Sequence, residues 1–118
     1  MIRNTIEVEV GGKKIGFRTG MLAISAACTA AGCRTTEELF QRITSIDLIA
    51  TLALYYGAAY EYADKNKLPK DFTMSDVGDW LDDLGEEKAN EIAAKMLESY
   101  TPKNSNPPEQ PGEVKEQQ

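Results

Sequence analysis

The stretch Thr5-Ile6-Glu7-Val8-Glu9-Val10-Gly11-Gly12-Lys13-Lys14-Ile15-Gly16-Phe17 decides the fold. Apolar residues alternate with polar ones on both sides of the glycine pair, the period of a strand, and Gly-Gly supplies the positive φ that a two-residue hairpin turn requires. Such a turn sets the register, with Val10 opposite Lys13, Val8 opposite Ile15 and Ile6 opposite Phe17. It also places Glu9 opposite Lys14 on the other face, a favourable cross-strand pair. One residue of slip would lose both matches. Two strands alone are marginal, so the Ile6/Val8/Ile15/Phe17 face needs helices to pack on.

Everything after Arg18 reads as helix. Met21–Ala31 is apolar almost all round and stops at Gly32, a residue suited to a left-handed helix end. Such a helix is either buried centrally or covers an oligomer or client surface, with Met21 and Leu22 as candidate contacts. Thr35-Thr36-Glu37-Glu38 fits a capping box. Ser45 is expected to cap the longest helix, about 46–66, with Ile49, Leu52, Ala53, Tyr56, Tyr60 and Ala63 on its core face. Tyr55 and Tyr62 share a neighbouring face and become candidates to meet a partner, since aromatic rings with a polar tip are enriched at interfaces. Gly57 costs roughly 1 kcal/mol against Ala in mid-helix unless another backbone approaches it closely.

Leu68-Pro69 breaks the long helix. Thr73 then caps a helix to Leu84, with Val77, Trp80, Leu81 and Leu84 inward and Asp76, Asp79, Asp82 and Asp83 outward. Gly85 interrupts, and Glu86–Tyr100 forms a last helix presenting Ala89, Ile92, Ala93, Met96 and Leu97. The predicted fold is therefore mainly α (α+β), an N-terminal two-stranded β-hairpin packed on a bundle of about five helices.

With 118 residues, 42% of them hydrophobic, the chain has room for one core. Residues 1–100 read as a single globular domain. Residues 101–118 hold four of the five prolines and one apolar residue, Val114, and are predicted to form a disordered tail. The net charge of −6 is uneven: +2 over residues 1–70, −7 over 71–100 and −1 over 101–118. No basic stripe is available to displace counterions from a phosphate backbone, which argues against nucleic-acid binding. The chain has no histidine, which excludes His general bases and His-containing zinc sites. No apolar run reaches the ~18 residues of a membrane span, and the first residues lack the shape of a signal peptide. Cys28 and Cys33 do not have a metal-ligand spacing and read as reduced thiols of a cytoplasmic protein. The acidic run over 71–87 reads as a solvated face or as an electrostatic docking face for a basic partner; it lacks the alternating ligand loop and glycine of a calcium hand. No catalytic, cofactor-binding or metal-ligating set is nominated.

The layout resembles the tail assembly chaperones of long-tailed bacteriophages and related prophages. The likeness lies in the opening hairpin, in the turn Phe17-Arg18-Thr19-Gly20-Met21-Leu22-Ala23, in Tyr55-Tyr56-Gly57-Ala58-Ala59-Tyr60-Glu61-Tyr62, and in Phe72-Thr73-Met74-Ser75-Asp76-Val77-Gly78-Asp79-Trp80-Leu81. It implies a non-enzymatic protein of the host bacterial cytoplasm, without cofactors, that coats the hydrophobic tape measure protein while the tail tube assembles. Contact with tail tube protein and self-association along the client are further implied partners. The candidate partner-binding residues are Met21, Leu22, Tyr55, Tyr62, Asp76, Asp79, Asp82 and Asp83. Two other classes fit the same composition: a structural head–tail connector or tail terminator subunit, and an acidic inhibitor of a host enzyme.

Overall fold

Gly11 and Gly12 turn the chain with φ values of 57° and 79°. The strands they join, β1 (Thr5–Val10) and β2 (Lys13–Arg18), pair antiparallel in the expected register throughout. The computed structural model describes residues 4–100, and the predicted tail lies outside the described residues. Five helices follow: α1 (Met21–Ala31), α2 (Thr36–Thr44), α3 (Leu48–Lys65), α4 (Met74–Leu84) and α5 (Glu86–Tyr100). One detail of the hairpin differs from the pairing expected of it. Lys14 meets Glu7 diagonally at 3.4 Å rather than Glu9 directly opposite.

α3 is the central element, packed on α1, β2, α2 and α4. Its tightest contact is with α1, and glycine makes it possible: a Cβ at Gly57 would collide with the carbonyl oxygen of Ala23 and lie 3.0 Å from the Ala27 Cβ. The close backbone approach that a mid-helix glycine calls for is therefore present. Ala23 and Ala27, one turn apart, present the small surface that Gly57 meets, and both are fully buried.

The N-terminus of α1 has no side-chain cap of its own, because Gly20 occupies the N-cap position. α3 supplies it from across the interface. Glu61, only 2% exposed, accepts from the Ala23 backbone N–H through Oε1 at 2.9 Å and from Arg18 Nε through Oε2 at 3.0 Å. One carboxylate thus satisfies an orphan helix donor, complements the positive end of the α1 dipole and neutralises a half-buried guanidinium. Gly20 is small because a Cβ there would run into that carboxylate. From the far side, the Tyr100 hydroxyl accepts from the Gly20 N–H at 2.8 Å and donates to its carbonyl at 3.0 Å. Asn4 ties the chain entry to α5 through the Lys95 carbonyl and the Ser99 hydroxyl.

The start of α3 corrects the expectation. Ser45 ends α2, Ile46 adopts a left-handed φ of 61°, and Asp47 is the N-cap, its Oδ1 accepting from Ile49 and Ala50 N–H groups. Thr73 caps α4 as expected, in a reciprocal box with Asp76.

Two substitutions test this frame. Gly57→Ala gains about 1 kcal/mol of helix propensity but forces α1 and α3 apart, so a net loss of about 1–3 kcal/mol is expected in urea unfolding; a more stable variant would contradict the packing. Glu61→Ala strands Arg18 and the α1 donor and is expected to cost roughly 3 kcal/mol, where a loss below about 1 kcal/mol would remove the role given to Glu61.

Candidate functional site

Central burial of α1 extends along one face only. Ala23, Ile24 and Ala27 are inside, whereas Met21 is 67% exposed and Leu22, Ala26 and Ala30 are partly open. The open face forms one wall of a groove of about 520 Å³, with Tyr56 and Tyr60 of α3 and Phe72 and Met74 at the start of α4 opposite. Ser25, Thr29 and Thr73 supply hydroxyls at its edge. A second groove, about 360 Å³, runs between β2 and the α3–α4 connection, with Ala59, Ala63, Leu68, Phe72 and Trp80 among its lining and Lys13, Lys14 and Asp71 bringing charge.

Phe72 borders both grooves, and the rings around it form a continuous row. Tyr60 and Tyr56 lie 6.3 Å apart, Tyr56 meets Phe72 edge-on at 5.7 Å, and Phe72 meets Trp80 at 5.2 Å. Lys70 Nζ sits 5.2 Å above the Tyr60 ring and bonds Asp64 at 2.7 Å, which lowers the Asp64 pKa and raises that of Lys70. The result is an aromatic strip, half-buried, with polar tips.

The tyrosines expected to meet a partner are on the wrong side for it. Tyr55 and Tyr62 are buried. Tyr55 packs edge-on against Phe17 and donates to the Ala89 carbonyl at 2.6 Å, joining α3 to α5. The Tyr62 ring covers Gly16, where a Cβ would collide with it, and its hydroxyl donates to Glu7 at 2.6 Å. That bond lowers the Glu7 pKa and, with burial, raises that of Tyr62. Tyr56 and Tyr60, placed on the core face by sequence, are the partly exposed pair, and Ile49 is exposed. Helical period does not separate the two pairs: with Gly57 facing α1, at about 100° per residue Tyr56 and Tyr60 lie beside that contact and Tyr55 and Tyr62 lie on the opposite side, where long-range partners bury them.

Of the other nominated residues, Met21 stands exposed, Leu22 lines the first groove, and Asp76, Asp79, Asp82 and Asp83 are all exposed on α4. Asp76 is occupied in the Thr73 cap, and among the described residues none of the four makes an ion pair. Trp80, expected to point inward from its helix, packs against the core but stays half-buried, lining the second groove. Sequence reading missed a further apolar corner, Ile46, Leu48 and Ile49, where Ile46 is 78% exposed. Among the described residues no group of three or more Cys, Asp and Glu side chains is placed to hold a metal ion, and no helix is long and apolar enough to cross a membrane.

Comparisons with protein-family models, with curated proteins and with solved structures find no match. The geometry of the grooves therefore carries the functional reading.

The buried Tyr55 and half-buried Tyr100 can be checked by titration. Burial pushes Tyr55 up to about 12, and Tyr100 also to about 12 against the opposing pull of its bond with Gly20. Unfolded tyrosine titrates near 10, so between these pH values the native state holds more protons than the unfolded chain. Their stabilising contribution is thus intact below pH ~10 and is lost as pH rises towards ~12. Tyrosinate absorbance should show the last phenols ionising together with unfolding; complete titration near pH 10 with the fold intact would contradict their burial.

Proposed function

We propose that this chain is a tail assembly chaperone of a long-tailed phage or prophage. In this reading it binds the tape measure protein and keeps it soluble while the tail tube assembles. The observation that carries the proposal is the pair of aromatic-floored apolar grooves meeting at Phe72. Concave apolar strips flanked by helices suit the apolar seam of a client segment, and side chains such as Tyr56, Tyr60 and Met74 adapt to varied partners. Hydroxyl tips let the strip face water when no client is present. The exposed carboxylates of α4 lie on the helix whose N-cap, Thr73, and first residue, Met74, line the first groove. They keep a loaded complex soluble, repel nucleic acid and favour basic client segments. The layout resemblance described above points to the same role.

Co-expression with the tape measure protein tests the proposal. The wild-type chain is expected to hold the client in the soluble fraction and to be absent from finished virions. Leu22→Asp combined with Tyr60→Asp, both at partly exposed positions, should weaken capture by roughly 30-fold, about 2 kcal/mol, without unfolding the chain. Asp79→Asn, Asp82→Asn and Asp83→Asn together should weaken it a few-fold, and less at high salt; Asp76 is spared because it caps α4. Undiminished capture by the groove variant, or persistence of the chain in mature virions as a structural subunit would show, contradicts the proposal.

A further inference from the structure

Three helices of this protein end in the same way. At the end of α1, Gly32 is left-handed, its N–H bonds the Thr29 carbonyl, and the Cys33 N–H bonds the Cys28 carbonyl at 2.8 Å. At the end of α2 the same two bonds run from Ile46 to Ile43 and from Asp47 to Arg42. At the end of α3 they run from Lys67 to Asp64 and from Leu68 to Ala63. This closure brings together the side chains of the residues five apart that share its longer hydrogen bond. In α2 that pair is Arg42 and Asp47, in contact at 2.8 Å; in α3 it is Ala63 and Leu68, which line one groove. In α1 the pair is Cys28 and Cys33.

We propose that Cys28 and Cys33 form a thiol–disulfide exchange site, with Cys33 as the attacking sulfur and Cys28 as the resolving one, acting on low-molecular-weight disulfides. Both residues are half-buried and free, and so remain within reach of a small reagent. Arg42 separates their roles. Its Nη1 donates to Cys33 Sγ at 3.1 Å while also holding the Ala31 carbonyl at 2.8 Å, and its Nε is anchored by Asp47. The guanidinium therefore stands where the negative charge of an attacking sulfur is held. Cys28 donates to the Thr35 carbonyl at 3.7 Å, and burial together with the neighbouring Cys33 raises its pKa, so it is held in reserve as a thiol.

In the first step Cys33 Sγ attacks one sulfur of the external disulfide. That S–S bond breaks, and the displaced thiolate takes up the proton that Cys33 released to solvent. Cys28 Sγ then gives its proton to solvent and attacks Cys33 Sγ, expelling the second thiolate, which is protonated in turn. The protein dithiol loses two electrons to form one internal disulfide, and the external disulfide is reduced to two thiols. The ring closed is short, so the bond restrains the unfolded chain little and is readily reversed by excess thiol. This site stands apart from the grooves and does not depend on what they bind.

The reduced full-length chain treated with oxidised glutathione tests the proposal. Wild-type protein should lose both free thiols, shift in mass by two hydrogens, keep no glutathione and remain monomeric on a non-reducing gel. Cys28→Ser should retain a glutathione adduct on Cys33, and Cys33→Ser should acquire its adduct roughly 10-fold more slowly. A persistent adduct on the wild-type chain, disulfide-linked dimers, equal rates for the two variants, or reaction only after unfolding would each overturn it.

Discussion

The Glu61 carboxylate is the point from which the rest of this structure is set. It is buried in the middle of the protein, and a lone charge there would be untenable. The Ala23 N–H and the Arg18 guanidinium, together with the positive end of α1, make it tenable. Because Arg18 ends β2 and Ala23 lies in the first turn of α1, one side chain of α3 fixes where the hairpin stops and where α1 begins. Gly20 between them has to be small, and Tyr100 closes its exposed side from α5. Hairpin, first helix and central helix thus meet at a single group, and the last helix joins them through Gly20. Satisfying buried polar atoms, rather than adding apolar area, decides how these elements are oriented.

The orientation has a functional consequence. Gly57 lies one turn before Glu61 on the same face of α3, and the two residues draw α1 against α3 along its Ala23/Ala27 edge. A helix held that closely through small residues buries a narrow strip and leaves the rest of its apolar surface uncovered. Leu22, Ala26 and Ala30 consequently become one wall of a groove, and Tyr56 and Tyr60, rotated away from the α1 contact, become part of the other. The interaction that secures the fold is also what exposes the surface on which the proposed client binding rests.

How much of this could be read from residues alone follows from how local each determinant is. The hairpin register was legible because Gly11-Gly12 and strict alternation leave a single solution, and the Thr73 cap was legible because its bonds span three residues. The boundary near Ser45 was not: Ser45 and Asp47 are both competent caps, and the choice depends on Arg42 pairing with Asp47 across a left-handed Ile46. The tyrosine faces were misassigned because helical period alone treats Tyr55/Tyr62 and Tyr56/Tyr60 alike. What separates them is long-range, namely Gly16 receiving the Tyr62 ring and Ala89 receiving the Tyr55 hydroxyl. The role of Glu61 is not visible in the sequence for the same reason, since its partners lie about forty residues away. The acidic face of α4 was legible, being a matter of local pattern.

Hydrogen exchange on the chain alone and in its co-expressed complex with the tape measure protein examines the central claim directly, because it reports which surface is covered. Added protection is expected along α1 and at the start of α4, the two edges of the first groove, with little change in the hairpin turn or at the Ile46–Ile49 corner. Protection confined to that corner or to the acidic end of α4, with both groove edges exchanging as in the free chain, would contradict it.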